Sequence, residues 1–169
     1  MREVAELLNA MREAGAIGEY ALFGAAAQMR YTEPVATLDA DVLVVVPQPE
    51  KMDVLQGVYH FCREKGYHSE GEAVRVGAWP VQFIPVFSPL TREAVDRAET
   101  ADFEGVPFRV VSAAYLAAIA LSVGRAKDFT RILALLDSGS VTRDQIARLA
   151  SHHGLADSWR RFEARFLNV

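Results

Sequence analysis

The run DADVLVVV, residues 39–46, constrains the fold more than any other stretch of the chain. Six of its eight residues are apolar, and four are valine, a β-branched residue that favours strands over helices. Since the apolar positions do not alternate with polar ones, the run predicts a strand that is buried on both faces and ends at Pro47. The chain must therefore build a sheet with packing on both sides.

Other segments of the first two thirds extend this sheet and flank it with helices. Helical spacing of apolar residues predicts a first helix that ends near Gly15 or Gly18, and Ser88 with Pro89 opens a later one. The helix opened by Ser88 and Pro89 covers residues 91–98, and the other predicted helices are AAAQMRY (25–31) and residues 51–65. The further predicted strands are EYALF (19–23), AVRV (73–76), VQFIPVF (81–87), ADFEG (101–105) and VPFRVV (106–111).

From Ser112 onward the pattern becomes helical. Four amphipathic or apolar segments, each closed by glycine or a polar cap, predict four helices within residues 113–168. The fold class is therefore α/β (α+β), a mixed sheet flanked by helices with a helical C-terminal tail. We expect a single domain over residues 1–169, with a mixed core at 1–111 and a helical part at 112–169.

Composition excludes several classes of protein. The net charge of -4 disfavours non-specific nucleic-acid binding, which needs a basic surface. A single cysteine, Cys62, cannot form an internal disulfide. No apolar run reaches the roughly 20 residues that cross a bilayer, and the amphipathic start does not resemble a secretory signal. We therefore expect a soluble, cytoplasmic protein.

Asp39 and Asp41 carry the chemistry that the sequence predicts. Residues two apart on a strand point to the same face, so the two carboxylates can hold one hard cation between them. Mg²⁺ bound in this way takes its remaining ligands from water and from nucleotide phosphates. The alternative interpretation is that the aspartates only terminate a strand at the surface.

The context of this pair, FGAAAQMRYTEPVATLDADVLV (23–44), resembles the signature of the polymerase-beta-like nucleotidyltransferase superfamily. Within it the chain is most similar to small stand-alone bacterial and archaeal enzymes, including relatives of abortive-infection toxins. The resemblance implies a nucleotidyltransferase-like sheet, Mg²⁺ or Mn²⁺ on Asp39 and Asp41, and a nucleoside triphosphate as substrate. It further implies that the nucleotide-binding segment contains Gly24 and Ala25 beside the triphosphate, together with Arg30 and Thr37.

A second stretch, LAAIALSVGRAKDFTRILALLD (116–137), is similar to the C-terminal segment of the same superfamily. The resemblance implies that Arg125 and Lys127 lie near the phosphates, with Asp128 as a helix cap or as an orienting partner. The alternative is that these residues are only helix caps, with a glycine that ends one helix and an aspartate that begins the next.

Two positions depart from the pattern of the superfamily. Ala25 stands where glycine or serine is usual, and Gln82 occupies the place of the third catalytic carboxylate on a later strand. An amide carries no charge and cannot accept a proton at neutral pH, so Gln82 weakens a second metal site. Glu70 or Glu72 could replace the missing carboxylate, or both could belong to a solvated sheet edge.

The sequence thus leads to two functional hypotheses. The first is a Mg²⁺-dependent nucleotidyltransferase that moves a nucleoside monophosphate to a hydroxyl of an RNA, a protein or a small antibiotic. The second is a catalytically degenerate form of the fold that acts as a regulatory or protein-interaction module. Such a module would resemble a toxin–antitoxin component with a partner protein from a neighbouring gene. Gln82 is the residue that favours the second hypothesis.

Overall fold

The computed structural model describes residues 1–168, which form seven strands and eight helices and confirm the α/β (α+β) class. The strands are β1 (Tyr20–Phe23), β2 (Ala40–Val44), β3 (Ser69–Glu70), β4 (Ala73–Val76), β5 (Trp79–Pro85), β6 (Glu99–Phe103) and β7 (Val106–Val110). The helices are α1 (Arg2–Glu13), α2 (Gly24–Gln28), α3 (Gln56–Glu64), α4 (Pro89–Asp96), α5 (Ala113–Val123), α6 (Ala126–Asp137), α7 (Arg143–His152) and α8 (Ala156–Phe166).

One mixed sheet contains all seven strands, in the order β3-β4-β5-β2-β1-β7-β6. At its centre β2 pairs antiparallel with β1 and parallel with β5, and β1 pairs parallel with β7. Antiparallel pairs form both edges, β3 and β4 on one side and β6 and β7 on the other. Val42, Leu43 and Val44 are fully buried, so the prediction that the valine-rich strand is covered on both faces is confirmed.

The chain divides into two compact units. The first comprises Met1–Ala27 and Ala36–Val111, and the second comprises Gln28–Val35 and the chain from Ser112 onward. The division falls close to the expected boundary between the mixed core and the helical part. The expectation that both parts belong to one domain stays a prediction.

In the first unit, helix α1 packs against the sheet through its apolar face. Val4, Leu8 and Met11 on that face are fully buried. Two hydrogen bonds of Asn9 fix the position of the helix. Tyr20 Oη donates to Asn9 Oδ1 (2.7 Å), and Asn9 Nδ2 donates to the backbone oxygen of Pro107 (2.8 Å). The helix is thereby held to β1 and β7 by hydrogen bonds as well as by buried area.

The second unit is a helical assembly built around α5. Its buried aliphatic and aromatic side chains include Leu116, Ile119, Ile132, Leu135, Ile146, Trp159 and Phe162. Two bonds tie the early segment to these helices: Ser140 Oγ donates to the backbone oxygen of Tyr31 (2.7 Å), and Arg131 Nε donates to Gln28 Oε1 (3.0 Å). Segment 28–35 is therefore part of this helical unit, although it lies in the first quarter of the sequence.

Several predicted element boundaries are wrong: the helix predicted over 25–31 ends at Gln28, and the strand predicted to reach Pro47 ends at Val44. Two other boundaries have a clear local cause. The helix expected from residue 51 begins at Gln56, since residues 51–55 form bends and turns in which Asp53 Oδ1 accepts a bond from the backbone N–H of Leu55 (3.2 Å). The strand expected from Asp39 begins at Ala40, because Asp39 lies in a bend that Thr37 stabilises. Between residues 1 and 168 no helix combines the length and apolar character needed to span a membrane.

Candidate functional site

Asp39 and Asp41 lie where the central strand β2 begins. Asp39 is the last residue before the strand and Asp41 its second residue, and both side chains are half-buried. Buried apolar residues, Ala40 and Val42, flank Asp41 in sequence and point to the other face of the sheet. The local sequence thus forces the carboxylates outward from the core and onto one face.

Gly24 is packed directly against Asp41. Phe23 pairs with Asp41 in the antiparallel register of β1 and β2, so the next residue, Gly24, turns the chain beside this carboxylate. Gly24 adopts a left-handed backbone with φ of 68°, and a Cβ at this position would lie 2.5 Å from Asp41 Oδ2. Only glycine satisfies both conditions without strain. Ala25 follows in the short helix α2 and is half-buried.

Gln82 joins the two aspartates from the neighbouring strand. In the parallel register of β2 and β5, Gln82 stands directly opposite Asp41, so both side chains project from the same face. Its Nε2 atom donates a long hydrogen bond of 3.4 Å to Asp39 Oδ2. The structure therefore brings Asp39, Asp41 and Gln82 together, although Gln82 lies 43 residues after Asp39 in sequence.

Thr37 holds the bend that presents Asp39. Its hydroxyl donates to the backbone oxygen of Asp39 (2.9 Å) and lies 3.5 Å from Asp39 Oδ1. The neighbouring Leu38, which precedes Asp39 in the chain, has a large apolar side chain that is 91% exposed. Sequence reasoning missed Leu38, and the signal that could have found it is an isolated leucine in the polar turn that precedes the strand.

Glu70 and Glu72 do not belong to this cluster. Glu70 ends the edge strand β3, which two intervening strands separate from β2, and its carboxylate pairs with Arg75 (2.9 Å). Glu72 is exposed in the turn between β3 and β4. The solvated edge is the correct interpretation of these two residues.

The remaining predicted binding residues lie in the second unit. Arg125 is the N-cap of α6, and its backbone N–H and its Nε atom both donate to Asp128 Oδ2, at 3.1 and 2.8 Å. Burial alone would raise the pKa of Asp128, but the bonds from Arg125 and the charge of Arg131 outweigh it and lower that pKa. Lys127 is exposed on α6, and Arg30 is exposed with its guanidinium over the ring of Tyr31.

Comparison with known proteins gives a result only at the level of the fold. No family model matches the chain, and no curated protein is similar to it in sequence. Among solved structures, the chain is similar to an antigenic nucleotidyltransferase-like protein from Paracoccidioides brasiliensis, with a TM-score of 0.57 and 13% identity over 99% of this chain and 98% of that one. It is also similar to the antibiotic-resistance factor ANT(2″)-Ia, with a TM-score of 0.53 and 11% identity over 97% of each chain.

The fold is nucleotidyltransferase-like. At these identities the likeness establishes the fold alone, so the chemistry of the site has to be argued from its own residues.

A divalent cation fits the donor set at the start of β2. Asp39 and Asp41 supply carboxylate oxygens, the hard ligands that Mg²⁺ and Mn²⁺ prefer, and both are half-buried, with Asp41 packed against the main chain of Gly24. In this nucleotidyltransferase-like fold, Gln82 is the one member of the cluster that brings no negative charge. The arrangement can therefore neutralise the charge of one divalent cation, but it contains no third carboxylate.

Proposed function

We propose that the chain binds a Mg²⁺-nucleoside triphosphate at Asp39 and Asp41 and transfers its nucleoside monophosphate to a hydroxyl of an acceptor. One observation carries this proposal: two carboxylates and an amide from β2 and β5 meet on one face of the sheet, beside the side-chain-free turn at Gly24. The nucleotidyltransferase-like fold supports the same conclusion.

Four residues of the site have a role in this reaction. Asp39 and Asp41 would hold the cation, which supplies positive charge against the phosphates. Thr37 keeps Asp39 in its bend, and Gly24, which has no Cβ, lets the main chain lie directly against the Asp41 carboxylate. The acceptor oxygen forms a bond to the α-phosphorus, pyrophosphate leaves, and the hydroxyl proton passes to solvent. Catalysis would come from positioning and charge stabilisation.

The remaining nucleotide contacts are part of the proposal as well. Ala25 in the turn after β1, and the cationic side chains Arg30, Arg125 and Lys127, are the candidates for the triphosphate. Arg125 has an exposed guanidinium, and the bond of its Nε atom to Asp128 holds this group in place within the second unit. A fixed arginine loses less conformational entropy on binding a phosphate than a free one.

The acceptor stays open among an RNA end, a protein hydroxyl and a small antibiotic. One structurally similar protein is an antibiotic-resistance factor, which makes a small-molecule acceptor a reasonable first choice for screening. We also propose that the protein is cytoplasmic. A further part of the proposal is a partner protein from a neighbouring gene, as in toxin–antitoxin pairs.

Gln82 favours a second candidate function. Since the amide donates to Asp39 and cannot serve as a base, a chain that binds Mg²⁺-nucleotide without turning it over would act as a regulatory module. The two candidates share the binding site and differ only in whether pyrophosphate is released.

A melting-temperature titration tests the binding step. The wild type is titrated with each of the four nucleoside triphosphates and Mg²⁺ or Mn²⁺, alongside Asp39→Asn and Asp41→Asn, which keep the size of the side chains. A ligand at a hundred times its Kd stabilises by about 2.7 kcal/mol, so the wild type should melt at a higher temperature and the two variants should not respond.

Asp53→Asn is the matched control. Asp53 is exposed, and an asparagine oxygen can still accept the bond from Leu55, so this variant should respond like the wild type. Absence of any nucleotide response in the wild type would contradict both candidate functions. Where binding is found, release of pyrophosphate in the presence of an acceptor separates the transferase from the regulatory module.

A further inference from the structure

We infer that the site binds its nucleotide with a single divalent cation, and that Gln82 is a positioning residue that takes the place of a second cation beside Asp39. The inference rests on the proposed function and specifies the metal stoichiometry of the same site. It follows from the register of two strands, from the hydrogen-bonding chemistry of the amide and from the charges of the cluster.

The register decides which residue can approach the carboxylates from β5. Asp41 is paired with Gln82, and the residues on either side of Gln82, Val81 and Phe83, are buried on the opposite face. Position 82 is therefore the one place in the middle of β5 whose side chain reaches the carboxylate face beside Asp41. A third carboxylate would have to be here, and the chain has an amide instead.

The chemistry of the amide fixes its orientation. An ionised carboxylate only accepts hydrogen bonds, so the group that faces Asp39 Oδ2 has to be the NH₂ group of Gln82 and not its carbonyl oxygen. The observed contact is this one, from Nε2 to Oδ2 at 3.4 Å. In this position the donor of Gln82 occupies one lone-pair direction of Asp39 Oδ2, which is then not available to a cation.

The charges of the two aspartates also favour the binding of a single cation. Asp39 and Asp41 together carry a charge of -2, which one divalent cation neutralises. Gln82 adds no negative charge, so a second cation would have to share Asp39 and Asp41 with the first, or take the neutral amide oxygen, which requires breaking the bond to Asp39. Protein carboxylates are the usual ligands of Mg²⁺, so this second position is strongly disfavoured.

One consequence concerns the acceptor. In a two-metal site the second cation stabilises the attacking oxygen, whereas a one-cation site gives no such help. The hydroxyl that reacts must then be activated by a group that the acceptor itself brings, or must be more acidic than a simple alcohol. This places a chemical condition on the acceptor that screening can use.

Counting bound Mn²⁺ tests the inference without any measurement of turnover. The chain is saturated with the α,β-methylene analogue of ATP, or with the analogue of whichever triphosphate gives the largest melting shift, and titrated with Mn²⁺. Electron paramagnetic resonance then reports the Mn²⁺ that remains free. We expect one Mn²⁺ per bound nucleotide in the wild type and two in Gln82→Glu, which restores a carboxylate at nearly constant size.

Two further variants distinguish a positioning role of Gln82 from a general effect of added charge or of a lost side-chain donor. Gln145→Glu adds the same charge in α7, where Gln145 Oε1 accepts from the backbone N–H of Thr142 and a glutamate can do the same, so it should keep one Mn²⁺. Gln82→Leu removes the donor without adding charge. It should also bind one Mn²⁺, with affinity about 5-fold to 10-fold lower, because Asp39 loses the bond that orients it.

The outcomes are distinguishable. Two Mn²⁺ per nucleotide in the wild type would overturn the inference and leave the proposed function standing. One Mn²⁺ in both the wild type and a folded Gln82→Glu would overturn the role of Gln82. No binding of Mn²⁺-nucleotide by the wild type would remove the proposed function itself. The count in the wild type decides the stoichiometry even if Gln82→Glu does not fold.

Discussion

Gly24 and Asp41 are in such close contact that a single added methyl group on Gly24 would lie 2.5 Å from the Asp41 carboxylate. Gly24 also has a φ of 68°, a conformation that costs about 1–3 kcal/mol for residues with a side chain. The turn after β1 and the second aspartate of β2 are therefore one structural unit, and a change in either should affect the other.

Gly24→Ala, compared with a second glycine variant, should distinguish the loss of stability caused by this contact from the loss caused by backbone strain. We expect it to lower the free energy of unfolding by more than about 2 kcal/mol and to abolish the nucleotide-dependent rise in melting temperature. Gly15→Ala is the matched control, because Gly15 has a φ of 73° and nothing within 4 Å of an added Cβ. It should lose only the strain, about 1 kcal/mol, and keep the nucleotide response. Equal losses in urea unfolding would refute a special role for the Gly24–Asp41 contact.

Thr37→Val should weaken Mg²⁺-nucleotide binding about 5-fold. Valine has the shape of threonine but cannot donate to the backbone oxygen of Asp39, and one such bond is worth about 1 kcal/mol. Thr37→Ser keeps the hydroxyl and should bind like the wild type. Isothermal titration with the Mg²⁺-nucleotide gives the affinities, and a serine variant as weak as the valine variant would show that the hydroxyl is not responsible.

Asp128→Asn should destabilise the chain by about 2 kcal/mol at pH 7, because a buried carboxylate loses its charged bonds to Arg125. The pKa of Asp128 is lowered in the folded state, so its contribution is complete above about pH 4 and is lost as pH falls through the folded pKa. The gap between wild type and variant, measured by urea unfolding, should therefore shrink between pH 4 and pH 3.

Asp144→Asn provides the comparison for this effect. Asp144 lies in the first turn of α7, as Asp128 does in α6, but it is exposed. Its replacement should change the stability by less than about 0.5 kcal/mol at either pH. A gap for Asp128→Asn that stays constant from pH 7 to pH 3 would contradict the proposed protonation linkage.

Cys62 should be unreactive until the chain unfolds. Burial raises the pKa of its thiol to about 11, from an ordinary value of 9.0. Since the thiolate is the reactive form, two pH units reduce reactivity at pH 8 by about a hundred-fold, and burial in α3 adds to this. Alkylation by iodoacetamide, followed by mass spectrometry, should be slow in buffer and fast in urea. Rapid modification of the native chain would show that α3 opens readily.

The central strand can be predicted from the sequence because the pattern that specifies it lies within eight consecutive residues. Six apolar residues in DADVLVVV can be accommodated only in a strand covered on both faces, and the structure confirms it. The hairpin of β4 and β5 follows in the same way from a two-residue connection at Gly77 and Ala78. The nucleotidyltransferase-like fold was also predicted, through the resemblance of residues 23–44 to a known signature.

The geometry of the site depends on relationships that no local pattern contains. The bond from Gln82 to Asp39 depends on the register of two strands about 40 residues apart. The contact of Gly24 with Asp41 requires both the φ of the glycine and the register of β1 with β2. The late start of α3 at Gln56 reflects a turn stabilised by Asp53, which competes with helix formation for the same backbone groups.

Segment 28–35 has a consequence for the order in which the chain acquires its structure during synthesis. Its contacts to Arg131 and Ser140 span 103 and 109 residues, so the ribosome must deliver the entire first unit before this segment meets its neighbours. Contacts of such long range form late, since closing a long loop carries an entropic cost. A nascent chain that stops at Val111 therefore leaves the stretch between Ala27 and Ala36, just ahead of the two aspartates, without its native support.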